Sequence, residues 1–262
     1  MLVRELGRTV MQAQGYVKGR PVSLAVLDYG LFKVHANGRV IGICGYLIST
    51  DAGEHVLIDT GFPAKYAEDA AAASAEDRLY EFGEVLHCGP ENLPGAQLGL
   101  LGLSPSDVTL HVVSHTHIDH IGGLHGFAEV PILISEIERA LPAPLYWGDV
   151  RGMEWPDAAY ILLRGDVDLG PGFRVFTVPG HAPGQLAFML ELPETGAVLL
   201  TSDAISRPAE VDERFEGSWD AAAAMTSAER ILAEAAAREA MVIYGHCPTQ
   251  WAGLRKAPEV YL

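Results

Sequence analysis

Six consecutive positions, His115-Thr116-His117-Ile118-Asp119-His120, carry three imidazoles and a carboxylate. They follow the apolar run Leu110–Val113 and stand just before Gly122-Gly123. Imidazole nitrogen and carboxylate oxygen are the ligands taken by Zn²⁺ and its first-row neighbours. A buried strand that feeds a loop can turn His115 and His117 toward one point. Asp119 and His120, as a helix begins, can face a second point a few ångströms away. The two glycines let the backbone turn tightly beneath such a site. A lone histidine here would read as a satisfied polar group. Four ligand residues in six positions behind a strand do not.

Three further candidates each follow a strand-like run: His181 after Phe173–Val178, Asp203 after Val198–Ser202, and His246 after Val242–Gly245. Taken singly they are weak signals. Their shared placement at strand ends puts them on one rim, where open α/β sheets collect ligands. Together the candidates suffice for two divalent metal ions. His115, His117 and His181 would hold one, Asp119, His120 and His246 the other, with Asp203 between them. Each ion would keep room for water, as a catalytic site requires.

The elements that must position these residues are legible as short apolar runs. Val22–Leu27, Ile41–Ile48 and Val56–Ile58 read as strands, with a hairpin turn at Ser49-Thr50-Asp51-Ala52-Gly53-Glu54. Val108–Val113, Ile132–Ile134, Tyr160–Leu163, Phe173–Val178, Leu186–Leu192, Val198–Thr201 and Met241–Tyr244 continue the series. Helices are expected over Ala64–Tyr80, Ser135–Leu141 and Asp220–Glu239, the last with Ser218 as a cap and Ile231, Leu232 and Ala235 on its inner stripe. Phe82–Leu103 is the least regular stretch, either a loop beside the site or a surface connector. No repeat or linker divides the chain, so a single α/β domain over residues 1–262 is expected.

Composition narrows the function. The 262 residues include 34 Asp+Glu and 18 Lys+Arg, a formal net charge of −16. With 49% hydrophobic residues the chain can bury a sizeable core. Such acidity argues against a nucleic-acid partner, which needs a basic face, and against an anionic membrane surface. Cys44, Cys88 and Cys247 cannot all pair and show no CxxC spacing, which fits a reducing compartment. With no secretory pattern at the start of the sequence and no spanning apolar segment, a cytoplasmic location is the expectation. Apolar residues such as Val10 and Met11 can serve a homodimer contact or cover the domain's own core.

The His-x-His-x-Asp-His pattern, with Pro179-Gly180-His181, Ser202-Asp203-Ala204 and Gly245-His246, resembles the metallo-β-lactamase superfamily. Val56-Leu57-Ile58-Asp59-Thr60-Gly61 is similar to a further signature of that superfamily, whose aspartate supports the metal site from behind the ligands. The resemblance runs from about Ile41 to His246 and fills every ligand position. It implies a four-layer αβ/βα sandwich with two divalent metals, zinc by default and iron, cobalt or manganese as alternatives, at one edge between two sheets. Within the superfamily the chain looks most like the quorum-quenching N-acyl-homoserine lactonases and the related pyridoxolactonases. The late ligand loop and the Pro94-to-Leu103 stretch before it carry that likeness. Glyoxalase II-type thioesterases share the ligands but place them nearer the N-terminus. Acidity disfavours an RNA-processing relative, and His117 stands where flavodiiron proteins commonly have glutamate.

The resemblance implies hydrolysis of a lactone by a metal-bridging hydroxide, with Asp119 as the catalytic acid that moves a proton to the departing alkoxide. One position departs from it. Many homoserine lactonases have a tyrosine three residues after the bridging aspartate, where this chain has Ser206. Tyr146 and Trp147 are the nearest aromatics to fill that role, and Trp147, Met153 and Trp155 can wall an acyl chain or simply pack their loop. The alternative substrates on the same metal site are another lactone, a phosphotriester, a sulfonate ester or a thioester. A metal-binding module without catalysis is disfavoured by the complete ligand set. His35, His55, His87, His111 and His125 stand apart from this chemistry, and Cys247 reads as a small buried thiol.

Overall fold

Period-two alternation along the strands sets the layering. In the computed structural model, which describes residues 13–262, these strands assemble into two sheets. Val10 and Met11 lie outside the described residues. The first sheet contains β1 (Pro21–Val34), β2 (Val40–Thr50), β3 (His55–Ile58), β4 (Gly83–His87), β5 (Leu110–Val112), β6 (Ile132–Ser135) and β7 (Tyr160–Leu163). Their spatial order is β4-β1-β2-β3-β5-β6-β7. The second sheet holds β8 (Val167–Gly170), β9 (Phe173–Thr177), β10 (Leu186–Leu192), β11 (Gly196–Leu200) and β12 (Met241–Ile243), ordered β12-β11-β10-β9-β8.

Leu24, Val26, Ile48, Val56, Ile58 and Val112 of the first sheet meet Val175, Phe188 and Leu200 of the second in one apolar layer. Each such side chain stabilises by about 1.5–3 kcal/mol on burial. Their sequence neighbours Ala25, Leu27, Leu47 and Leu57 face the other way, against Phe62, Tyr66 and Leu98. On the second sheet Ala187, Met189 and Leu199 likewise face outward, packing on Ala224, Ala228 and Ile231. Helix, sheet, sheet and helix therefore stack as the αβ/βα sandwich.

Strand direction brings the candidate ligands to one rim. β3, β5, β6 and β7 are parallel neighbours. β9 and β11 are both antiparallel to β10, so they run the same way, and β12 is parallel to β11. The chain leaves β5 toward His115, β9 toward His181, β11 toward Asp203 and β12 toward His246.

The helices are α1 (Lys65–Glu68), α2 (Ala70–Glu76), α3 (Pro94–Leu100), α4 (Ile118–Ile121), α5 (Glu136–Arg139), α6 (Ala209–Asp212), α7 (Ala221–Ala237) and α8 (Pro248–Trp251). The single helix expected over Ala64–Tyr80 is broken, because Asp69 adopts an extended conformation and its carboxylate caps the N–H of Ala72. The cap of α7 is Asp220, which accepts from Ala223 N at 2.9 Å, and not Ser218. Phe82–Leu103 is more ordered than its composition suggests. It supplies β4 and α3, and Gln97 on α3 donates to Glu91 O and accepts from Asp28 N. Among the described residues no helix is long and apolar enough to cross a membrane.

One histidine of the core has a consequence for stability. His111 on β5 is fully buried, packs on Phe127, and neither ring nitrogen has a hydrogen-bond partner. Burial pushes its pKa down to about 3. That lies below its ordinary unfolded value near 6.5, so between these pH values the unfolded chain binds a proton that the folded chain refuses. Stability is lost as pH falls below 6.5, by up to about 1.4 kcal/mol per unit from this group, until the folded pKa is reached. His111→Leu should flatten the acid limb of a urea-midpoint-versus-pH curve by one proton. An unchanged slope would show that His111 is not buried neutral.

Candidate metal centre

The ligand loop begins where β5 ends, and a buried polar network holds it. Asp59, at the end of β3, accepts from Ser114 N at 2.8 Å through Oδ1 and from Ser114 Oγ at 2.6 Å through Oδ2. The same Oδ2 accepts from His120 Nδ1 at 2.8 Å. With its hydroxyl proton committed to Asp59, Ser114 Oγ accepts from His115 Nδ1 at 3.1 Å and from Ser202 Oγ at 3.0 Å. Ser202 precedes Asp203 and belongs to the second sheet, so this hydroxyl pair joins the sheets at the rim. Asp59 and Ser202 both take positive φ, 60° and 45°, a conformation that non-glycine residues hold only where surrounding contacts enforce it.

These contacts fix the tautomers of three histidines. Nδ1 of His115, His120 and His246 each serves as donor, His246 to Gly42 O at 2.9 Å. Nε2 of each is thereby turned toward the other ligand candidates, as in metal-binding histidines whose second ring nitrogen is held by a hydrogen bond. Nε2 of His115 and His120 and Oδ1 of Asp203 are buried with no hydrogen-bond partner. Buried polar atoms in folded proteins are usually paired, and these three, unlike those of the isolated His111, converge. The donor set and its orphaned atoms fit divalent metal ions.

The structure brings the seven ligand candidates together. Three groups form: His115, His117 and His181; His115, His120 and Asp203; Asp119, His120 and His246, with the donor atoms in each group within 4.8 Å of one another. Asp203 spans them, with Oδ2 3.3 Å from His181 Nε2 and Oδ1 3.1 Å from His246 Nε2. His117, the residue before α4, faces His181 at 2.9 Å, Nδ1 to Nε2. Gly180 has φ 147° and a Cβ there would lie 2.3 Å from the Ala224 backbone, so only glycine lets the His181 loop rest on α7.

Electrostatics divide the histidines. Burial drives His115 well below the ordinary histidine range and lowers His117 and His181, His181 to about 4. All three present neutral imidazole, the ligand form. Burial also opposes charge on His120 and His246, but carboxylates outweigh it. Asp119, Asp203 and Asp59 raise His120 well above the ordinary range, and Asp203 with Asp119 lifts His246 to about 9. Burial opposes ionisation of Asp203, yet His246, His120 and His181 hold it well below the usual carboxylate range. The centre attracts positive charge.

The isolated histidines and Cys247 join none of the ligand groups. Tyr146 is buried with its hydroxyl in the field of Asp77 and Glu76, and Trp147 Nε1 donates to Asp77 O at 3.2 Å. Trp147 is thereby committed to the residue that ends α2, and the Tyr146 hydroxyl lies near the same acidic pair. Trp155 Nε1 donates to Leu141 O at 2.8 Å and packs its loop down. Ser206 contributes backbone only: its carbonyl accepts from His246 N at 2.9 Å, and its N–H donates to Glu210 Oε2 at 2.7 Å. Sequence reasoning missed Ser114, Ser202 and the Gly42 carbonyl. The first two were readable as hydroxyls directly preceding ligands, whereas a backbone carbonyl leaves no sequence trace.

Fold, ligand groups and supporting aspartate together place the chain in a family: it belongs to the metallo-β-lactamase superfamily, whose description matches residues 44–246. Its relatives narrow the branch. The N-acyl homoserine lactonase of Bacillus cereus is 30% identical over 226 residues, covering 82% of this chain and 84% of the relative. The N-acyl homoserine lactonase AttM of Agrobacterium fabrum is 32% identical over 182 residues, 63% of this chain and 68% of the relative. A solved N-acyl homoserine lactone hydrolase, with N-hexanoyl-L-homoserine at its catalytic metal centre, shares the fold. It superimposes with a TM-score of 0.79 at 22% identity, covering 92% of this chain and 100% of the other.

Asp59→Asn isolates the network from the ligands it supports. An amide offers one acceptor oxygen for three donors, leaving a buried N–H or O–H unpaired at about 1–3 kcal/mol. Urea unfolding of metal-free protein should register that loss. A variant as stable as the wild type would mean the network is dispensable to the fold.

Proposed function

We propose that this chain is a dimetal hydrolase that opens the ring of N-acyl homoserine lactones. The observation that carries the reading is the convergence of His115, His117, Asp119, His120, His181, Asp203 and His246 at one rim, in a chain whose curated relatives are lactonases. His115, His117 and His181 would hold one ion, and Asp119, His120 and His246 the other. Asp203 turns one oxygen toward each group. Zinc suits these ligands by default. When bound, two divalent ions supply Lewis acidity toward the ester carbonyl and lower the pKa of a coordinated water.

The chain's own residues supply the rest. Asp119 keeps 17% of its side chain exposed, with Oδ2 3.4 Å from His246 Nε2. It is the more exposed of the two carboxylates in the ligand groups, Asp203 being 6% exposed, and we assign it the transfer of a proton to the departing alkoxide. His115, Asp203 and His246 are buried, and this low-dielectric floor strengthens every electrostatic contact above it. A neutral lactone suits a chain of net charge −16 better than a polyanion does. Three unpaired thiols support a cytoplasmic setting, and one domain spanning the chain is the organisation we favour. Ser206 in place of a tyrosine favours keeping a second reading, hydrolysis of another lactone, phosphotriester or thioester on the same centre.

A substrate panel separates these readings. Short- and long-chain homoserine lactones should turn over, while thioesters and phosphotriesters react at least tenfold more slowly. If all lactones are inert and another ester class is cleaved, the lactonase assignment fails. His117→Ala and exhaustive chelation should each abolish turnover, and activity that survives both would remove the metal mechanism.

A further inference from the structure

One buried carboxylate at the rim takes no part in this chemistry. Glu138, in the first turn of α5, is 1% exposed. Its Oε2 accepts from Thr116 Oγ1 at 2.6 Å, and its Oε1 accepts from Gly184 N at 3.0 Å. Its own N–H donates to Ser135 Oγ, the cap of α5, at 3.1 Å. Thr116 stands between His115 and His117 on the first sheet's loop. Gly184 closes the turn His181-Ala182-Pro183-Gly184 that leaves the second sheet. The approach is close. A Cβ on Gly184 would fall 1.9 Å from Ser135 Oγ and 2.6 Å from Glu138 Cγ.

Glu138 thus reaches the loops of all three residues of one ligand group. The other group is oriented differently: His120 by Asp59 and His246 by Gly42 O. Resting on the dimetal reading above, we propose that Glu138 is a positioning residue for the metal site of His115, His117 and His181, and not for that of Asp119, His120 and His246. The two loops come from different sheets, and besides the direct His117–His181 contact Glu138 ties one to the other.

The tie requires two acceptors. A carboxylate offers an oxygen to each donor, whereas a glutamine amide offers one oxygen and one N–H. In Glu138→Gln the Gly184 N–H can keep the amide oxygen, but Thr116 Oγ1 then meets a neutral N–H instead of giving its proton to a carboxylate, so the charge-assisted bond is lost and its loop is held more weakly. Thr116 Oγ1 also accepts from Leu145 N at 3.1 Å, so it cannot turn freely to find another partner. Groups that orient metal ligands typically alter metal affinity by about 10–100-fold.

The test is a Zn²⁺ titration against a chromophoric chelator on metal-depleted wild type, E138Q, T116V and T116S, with Co²⁺ absorption spectra of the loaded proteins. Wild type should bind two ions. E138Q and T116V should hold one at wild-type affinity and the other about 10–100-fold more weakly, with a Co²⁺ spectrum altered for one ion. T116S keeps the hydroxyl and should restore the second affinity. Two ions held at wild-type affinity by E138Q and T116V would overturn the proposal, as would equal weakening of both. If E138Q does not fold, the T116V and T116S pair decides by the same criteria. A wild-type chain that binds no Zn²⁺ would overturn the dimetal reading itself.

Discussion

The apolar layer between the sheets is the constraint on which the rest depends. Ligands reach the rim from β5, β9, β11 and β12, that is, from both sheets. Ångström-scale agreement among loops that never share a strand must come from how the sheets are registered on one another. Phe188 and Val175 packed against Val26 and Ile58 provide that register through close packing. Where the layer ends, polar ties take over. The Ser202–Ser114 hydroxyl pair crosses from one sheet to the other directly beneath the ligands.

Bringing so many ionisable groups into a buried rim would be costly without internal compensation. The compensation is visible in the split between imidazoles. Burial keeps His115 and His181 neutral, His181 even with Asp203 3.3 Å away, whereas His120 and His246, each facing two or more carboxylates, are drawn toward positive charge. The positive φ at Asp59 and Ser202 shows the backbone yielding to the same demand.

Much of the site was readable from the sequence, because metal ligation needs few residue types and strand ends give them an address. All seven proposed ligands converge as their types and placement implied. The sandwich was implied by the superfamily resemblance, and alternation along Leu24–Leu27 and Leu186–Leu190 is the pattern that realises it, assigning each side chain to one layer. Less legible were features set by single side chains that compete with local propensity. Asp69 breaks an alanine-rich helix because its carboxylate caps Ala72, and no periodicity signals that. Glu138 is an acid in a helix's first turn, a common placement that conceals its contact with two distant loops. β1 runs to Val34, past the expected Val22–Leu27, because a bulge between Asp28 and Gly30 lets the pairing with β2 continue.

The position of β12 has a consequence for biosynthesis. It joins its sheet in parallel beside β11, and the residue after it that reaches the rim, His246, fastens to Gly42 near the other end of the chain. His246 lies 65 residues beyond His181. At about 5–20 residues per second, a ribosome leaves an interval on the order of 3–13 s between them. Throughout it, three histidines of one ligand group have been synthesised while the other group lacks a member. On the dimetal reading, the residues of the second group are therefore complete only seconds after those of the first.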